Sequence, residues 1–70
     1  MTTAELATLP IPVRVRKARA MLGHTQRQLA DAIGVTKLTI IRIERFQQMP
    51  RPSTVALIEA WIERNTEDLR

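Results

Sequence analysis

Lys37 and Arg42 stand in a stretch whose apolar residues Ile40 and Ile43 fall at helical spacing, which leaves both cations outward together with Leu38 and Ile41. Such side chains can read a duplex. A guanidinium donates bidentately to guanine O6 and N7, an ammonium donates to guanine or to phosphate, and leucine or isoleucine packs on a thymine methyl. Thr39 and Arg45 lie at the flanks of the same face. The chain offers little for other chemistry. It has one histidine, His24, no cysteine and no tyrosine, and its acids lie mostly outside the basic part. No catalytic set, metal site or cofactor is therefore expected, and no enzyme.

The net charge of +4 is unevenly placed. Residues 13–51 carry nine basic side chains against Asp31 and Glu44, whereas both flanks are net acidic. That distribution favours a polyanionic partner, because neutralising phosphates releases condensed counterions; a solvated basic face without a partner fits the charge alone equally well. Seventy residues make one domain with a small core, which a dimer would help to stabilise. The absence of cysteine suits a reducing cytosol. With Glu5 near the start and no basic region followed by an apolar run, the amino terminus is not a secretory signal, and no stretch is long enough to span a bilayer. The expected location is the cytoplasm, on the nucleoid, in a chain encoded by a bacterium or phage.

Four helices must position these residues. Pro10 and Pro12 predict a loose arm over residues 1–12. A first helix should run from Pro12 or Val13 to Leu22, with Val15, Ala18, Arg19 and Leu22 on one side and Gly23 ending it. Thr25 followed by Gln28 fits a capping box, so the second helix starts at Gln26, turns Leu29, Ala30 and Ile33 inward, and stops at Gly34. Thr36 caps the third, from Lys37 to about Arg45. Thr39, Ile40, Ile41 and Ile43 are β-branched there, so tertiary packing must hold this helix. Residues 47–52 read as a loop, Ser53 as a cap, and residues 54–65 as a fourth helix whose Val55, Leu57, Ile58, Trp61 and Ile62 form a broad apolar stripe. The domain proper is residues 13–65, and residues 66–70 are a tail or an extension of that helix.

The three-residue connection Gly34-Val35-Thr36 forces the second and third helices to cross steeply, which props the third outward as in a helix-turn-helix. Close crossing needs a small facing residue, Ala30, with Leu29, Ile33, Val35, Ile40 and Ile43 filling the junction. A generic helical hairpin needs a seam but not an alanine, a glycine and a valine at these offsets.

Leu22-Gly23-His24-Thr25-Gln26, then Leu29-Ala30, Gly34-Val35, Ile40-x-Arg42-Ile43-Glu44 and the 50–53 entry into the last helix resemble the Cro and phage-repressor (Xre-type) helix-turn-helix family. The resemblance spans residues 13–62. It implies an all-α, lambda-repressor-like domain of four to five helices. It also implies that Arg19 pairs with Glu44 as a structural tie, leaving the arginine's other donors for a phosphate, and that Gln26 meets a phosphate or a base at a helix amino terminus. Thr25, Arg27, Thr36 and Thr39 join Arg19 as phosphate contacts. The loop residues Arg45, Gln47, Gln48 and Arg51 are expected along the backbone. The sequence departs from the family at three places: His24 and Phe46 replace a usual apolar residue and a usual glycine, and Ile41 is apolar where a polar residue is common.

The reading that results is a sequence-specific regulator of double-stranded DNA, a repressor bound as a homodimer to a palindromic operator, with autoregulation at its own promoter as one option. One short reading helix makes few base contacts, and two copies multiply them. Leu57, Trp61, Ile62 and Leu69 are candidates for the dimer surface, with simple core packing as the alternative. A second reading is a protein-interaction module such as the antitoxin of a toxin-antitoxin pair. No small-molecule effector site is evident.

Overall fold

Gly23 and Gly34 end two helices in the same way. Each takes left-handed backbone, with φ of 70° and 79°, a region that costs a residue bearing Cβ. The chain then folds back on its own carbonyls: the His24 amide donates to the Arg19 carbonyl at 2.9 Å, and the Gly34 and Val35 amides both donate to the Ala30 carbonyl, at 2.9 and 3.0 Å. The computed structural model describes residues 3–66. They form α1 (Thr3–Ala7), α2 (Ile11–Leu22), α3 (Gln26–Ile33), α4 (Lys37–Glu44) and α5 (Pro52–Asn65), an all-helical domain.

The caps form where the spacing puts them. The Thr25 hydroxyl accepts the Gln28 amide at 3.0 Å, and the Gln28 side-chain oxygen accepts the Thr25 amide at 2.8 Å, completing the capping box. The Thr36 hydroxyl accepts the Thr39 amide at 3.2 Å. The last helix differs from expectation. It starts at Pro52 with Arg51 as the cap and no capping side chain, and Ser53 lies inside its first turn. Proline suits that first position because the amide it lacks would have no partner there.

The amino-terminal segment is also a correction. In place of a loose arm, residues 3–7 are helical and Leu6 is fully buried in the core. A helix this short cannot hold itself. Arg14 secures it, donating through Nη2 to the Ala7 and Leu9 carbonyls at 3.2 and 2.9 Å and through Nε to Leu9 again at 3.2 Å. Pro10 and Pro12 do not break α2: Pro10 is its cap and Pro12 sits in its first turn, where amides need no partner, so the helix starts at Ile11.

The core joins Leu6, Val15 and Ala18 to Leu29, Ala30 and Ile33 of α3, Ile40 and Ile43 of α4, and Ile58, Trp61 and Ile62 of α5. α3 and α4 share the largest helix-to-helix contact, and Ala30 of α3 is almost wholly buried. Trp61 and Ile62, candidates for a dimer surface, instead fill the protomer's own core. A domain this small has few large side chains and needs the tryptophan inside. Leu57 is 47% exposed, and Leu69 lies outside the described residues. Thr66 closes α5, its amide and hydroxyl both donating to the Ile62 carbonyl.

Candidate nucleic-acid interface

α4 has two unlike sides. Ile40, Ile43 and Glu44 are buried, whereas Lys37, Leu38, Arg42 and, just beyond the helix end, Arg45 are exposed and Ile41 is half-buried. At about 100° per residue, Leu38, Ile41, Arg42 and Arg45 fall on the side of the rod away from the buried set, and Lys37, in the first turn, falls at the border, about 20° from Glu44. The outward side of α4 is thus free to meet a partner.

The inward side is fixed through charge as well as packing. Arg19 grips Glu44 with two parallel hydrogen bonds, Nε to Oε2 at 2.9 Å and Nη2 to Oε1 at 3.0 Å. Arg19 Nη1 also donates to the His24 carbonyl at 3.0 Å, so one guanidinium ties the end of α2, the following turn and the end of α4. The Glu44 side chain is only 5% exposed and Arg19 is 20% exposed. Gln26 adds a third donor, its amide nitrogen reaching Glu44 Oε1 at 3.3 Å. Two N–H groups of Arg19 remain for another acceptor, as do one N–H and the oxygen of the Gln26 amide.

Two polar clefts border the reading helix. The first, about 460 Å³, joins Arg19, Thr25, Gln26, Arg27 and Lys37 with Gly23 and His24 at the amino end of α3. Three cations and a helix amino terminus converge there, an arrangement that attracts an anion. The second, about 330 Å³, joins Thr36 and Thr39 of the α4 start to Gln48 and Arg51 of the connection and Thr54 of α5. Lys37 and Thr39 fall about 160° apart around the helix, so the clefts lie on opposite flanks of α4. A helix seated in a major groove has a phosphate backbone on each flank.

The residues singled out by sequence fall into these groups. Leu38, Ile41 and Arg42 share the outward side, with Lys37 at its border; Arg19, Thr25, Gln26 and Arg27 gather in one cleft; Thr36, Thr39, Gln48 and Arg51 gather in the other. Arg45 and Gln47 are exposed on the chain leaving α4 and line neither of these clefts. Ala30, Gly34, Val35, Ile40, Ile43 and Glu44 occupy the hinge and buried side. Thr54 was not anticipated; its place in the first turn of α5, beside a predicted phosphate-facing loop, was the available signal. Half-buried His24 sets its ring edge-on to Trp61, with centroids 5.4 Å apart.

The end of α4 is unusual. Phe46 has a φ of 62°, the left-handed region, and hydrogen bonds close the helix around it: its amide donates to the Ile43 carbonyl at 3.1 Å and the Gln47 amide to the Arg42 carbonyl at 2.8 Å. Glycine normally occupies such a position. The Phe46 ring is not folded away, since the residue is 65% exposed, and Met49 in the same connection is 84% exposed.

Among the described residues no helix is long and apolar enough to cross a membrane, and no group of three or more acids and histidines is placed to hold a metal ion. A family model described as helix-turn-helix matches residues 15–60, from the middle of α2's first turns through most of α5. No curated protein and no solved structure matches the chain significantly.

Proposed function

Since this chain belongs to the helix-turn-helix family of the Xre and Cro type and is a DNA-binding regulator, we propose that it reads a specific duplex sequence as a homodimer and represses transcription from a two-fold operator. The observation that carries this reading is α4, pinned on one side by Ile40, Ile43 and Glu44 and bare on the other at Leu38 and Arg42, with exposed Lys37 at the border. Arg42 and Lys37 donate to base edges, with Leu38 and Ile41 against thymine methyls. The two flanking clefts hold the phosphates, and Arg45 and Gln47 add backbone contacts. Two-fold symmetry supplies the specificity that one short helix lacks, with half-sites about 34 Å apart, roughly ten base pairs. A repressor needs nothing further, since occupancy of an operator suffices to block a promoter.

Selection of bound sequences from a random duplex library tests the reading, because it returns the preferred bases and the half-site spacing together. The expected product is a palindrome. With about four phosphate contacts per subunit, the affinity of the pair falls with salt at a log-log slope near −7, taking about −0.9 per phosphate. A slope near −1 with no enriched sequence would refute it.

A further inference from the structure

Phe46 is the one non-glycine residue with positive φ among those described, and it holds an aromatic ring out in solvent. The left-handed backbone lowers the stability of the free chain, and a glycine there would relieve it without disturbing the hydrogen bonds that close α4. Backbone strain kept at an exposed position points to a contact made outside the protomer. Met49, three residues on, is the most exposed large apolar side chain described.

We propose that Phe46 and Met49 form the contact between two copies of this chain, and that the contact closes only when DNA holds the copies side by side; this rests on the DNA-reading function above. Three observations select a second copy as the occupant. Trp61 and Ile62 are consumed by the protomer's own core, which leaves Leu57, 47% exposed, as the one dimer candidate of α5 still at the surface among the described residues, less exposed than Phe46 or Met49. The span of residues 46–50 carries no charge although it lies between Arg45 and Arg51 in the most basic part of the chain. It is therefore a place where two cationic copies can approach without setting like charges face to face, and a contact about a two-fold axis sets each residue against its own surface. The third observation is area. Phe46 and Met49 together expose on the order of 300 Å², so a symmetric contact buries about 600 Å², well short of the roughly 1,200 Å² of a dimer that is stable alone. On a duplex the neighbouring copy is present at an effective concentration near millimolar, and a weak contact then suffices.

The test uses the full chain and duplexes carrying one or two copies of the selected half-site. The free chain should sediment as a monomer. Binding to the two-site duplex should be cooperative by about tenfold or more, and five base pairs inserted between the half-sites, which turn them to opposite faces of the duplex, should abolish that. F46G and M49S should keep the affinity for a single half-site and lose the cooperativity, and F46G should melt at a higher temperature than the wild type. The proposal is overturned if both variants stay fully cooperative, if single-site affinity falls by the same factor as two-site affinity, which would make Phe46 a DNA contact, or if L57S loses the cooperativity instead. Wild-type chain that binds neither duplex would remove the DNA-reading function itself, and this contact with it.

Discussion

Removing Glu44 should damage this protein less than removing its partner, and removing both should damage it no more than one. Glu44 accepts from Arg19 Nε and Nη2 and from Gln26, at 2.9, 3.0 and 3.3 Å. In E44L the Arg19 guanidinium loses its counter-ion but keeps the His24 carbonyl and its 20% exposure. Water then compensates in part, and the loss should be about 2 kcal/mol, near that of one hydrogen bond to a charged group. In R19M the carboxylate stays 95% buried with only the Gln26 amide as a donor, and the loss should rise to about 3 kcal/mol, the low end for a broken buried pair. The double variant R19M/E44L leaves no orphaned charge and loses about 2 kcal/mol through the missing ties to His24 and Gln26. The coupling is then about 3 kcal/mol. For a domain of this size, each kcal/mol moves the melting point by about 4–8 °C, so the three variants are separable in thermal melts followed through Trp61, the chain's sole tryptophan. The double variant should also bind every duplex more weakly by a similar factor, with a salt slope reduced by about one per chain, since Arg19's two spare N–H groups are gone. Single-variant losses that add to the double-variant loss within about 0.5 kcal/mol would refute the clamp.

R42A should lose about 1–3 kcal/mol of binding and relax preference at one base pair per half-site, whereas R51A should weaken all sequences alike; identical profiles across operator variants would contradict the division of roles. L6A should lower stability by about 3 kcal/mol in urea denaturation, since it empties a fully buried position, while single half-site affinity stays unchanged; a loss below about 1 kcal/mol would mean that α1 is not anchored by this residue. At Gly34 an added Cβ meets nothing within 4 Å, so G34A should lose only the left-handed backbone term of about 1–2 kcal/mol, and G34N less. Equal melting points for G34A and wild type would argue against that conformation.

The helix-turn-helix was legible because its determinants are local. A capping box, a left-handed glycine and a one-residue valine plug are all set by neighbours within one or two turns, and Thr25, Gln28, Gly34 and Val35 carry them in full view. α1 was not legible. Pro10 and Pro12 read as chain breaks, and nothing near them announces that Arg14 takes up the carbonyls of Ala7 and Leu9 or that Leu6 reaches the core. Trp61 and Ile62 were ambiguous for a related reason: periodicity shows that a face is apolar but not whether it is covered by the same chain or by another. The clefts assemble residues from separate elements, so their membership was foreseeable mainly through family resemblance, and Thr54 escaped it.

The two sides of α4 divide the labour between folding and recognition. A helix of eight residues with four β-branched ones would not persist alone, so its order comes from Ile40, Ile43 and the Arg19–Glu44 tie on the inward side. Because Lys37, Leu38 and Arg42 lie outside the buried core, the proposed reading expects substitutions there to change the sequence read without unfolding the domain. Phe46 breaks this separation, since there an exposed side chain is kept at the expense of backbone stability. Glycine would hold the same backbone at lower cost, so the proposed contact between two copies gives the phenylalanine ring a role that the single protomer does not supply.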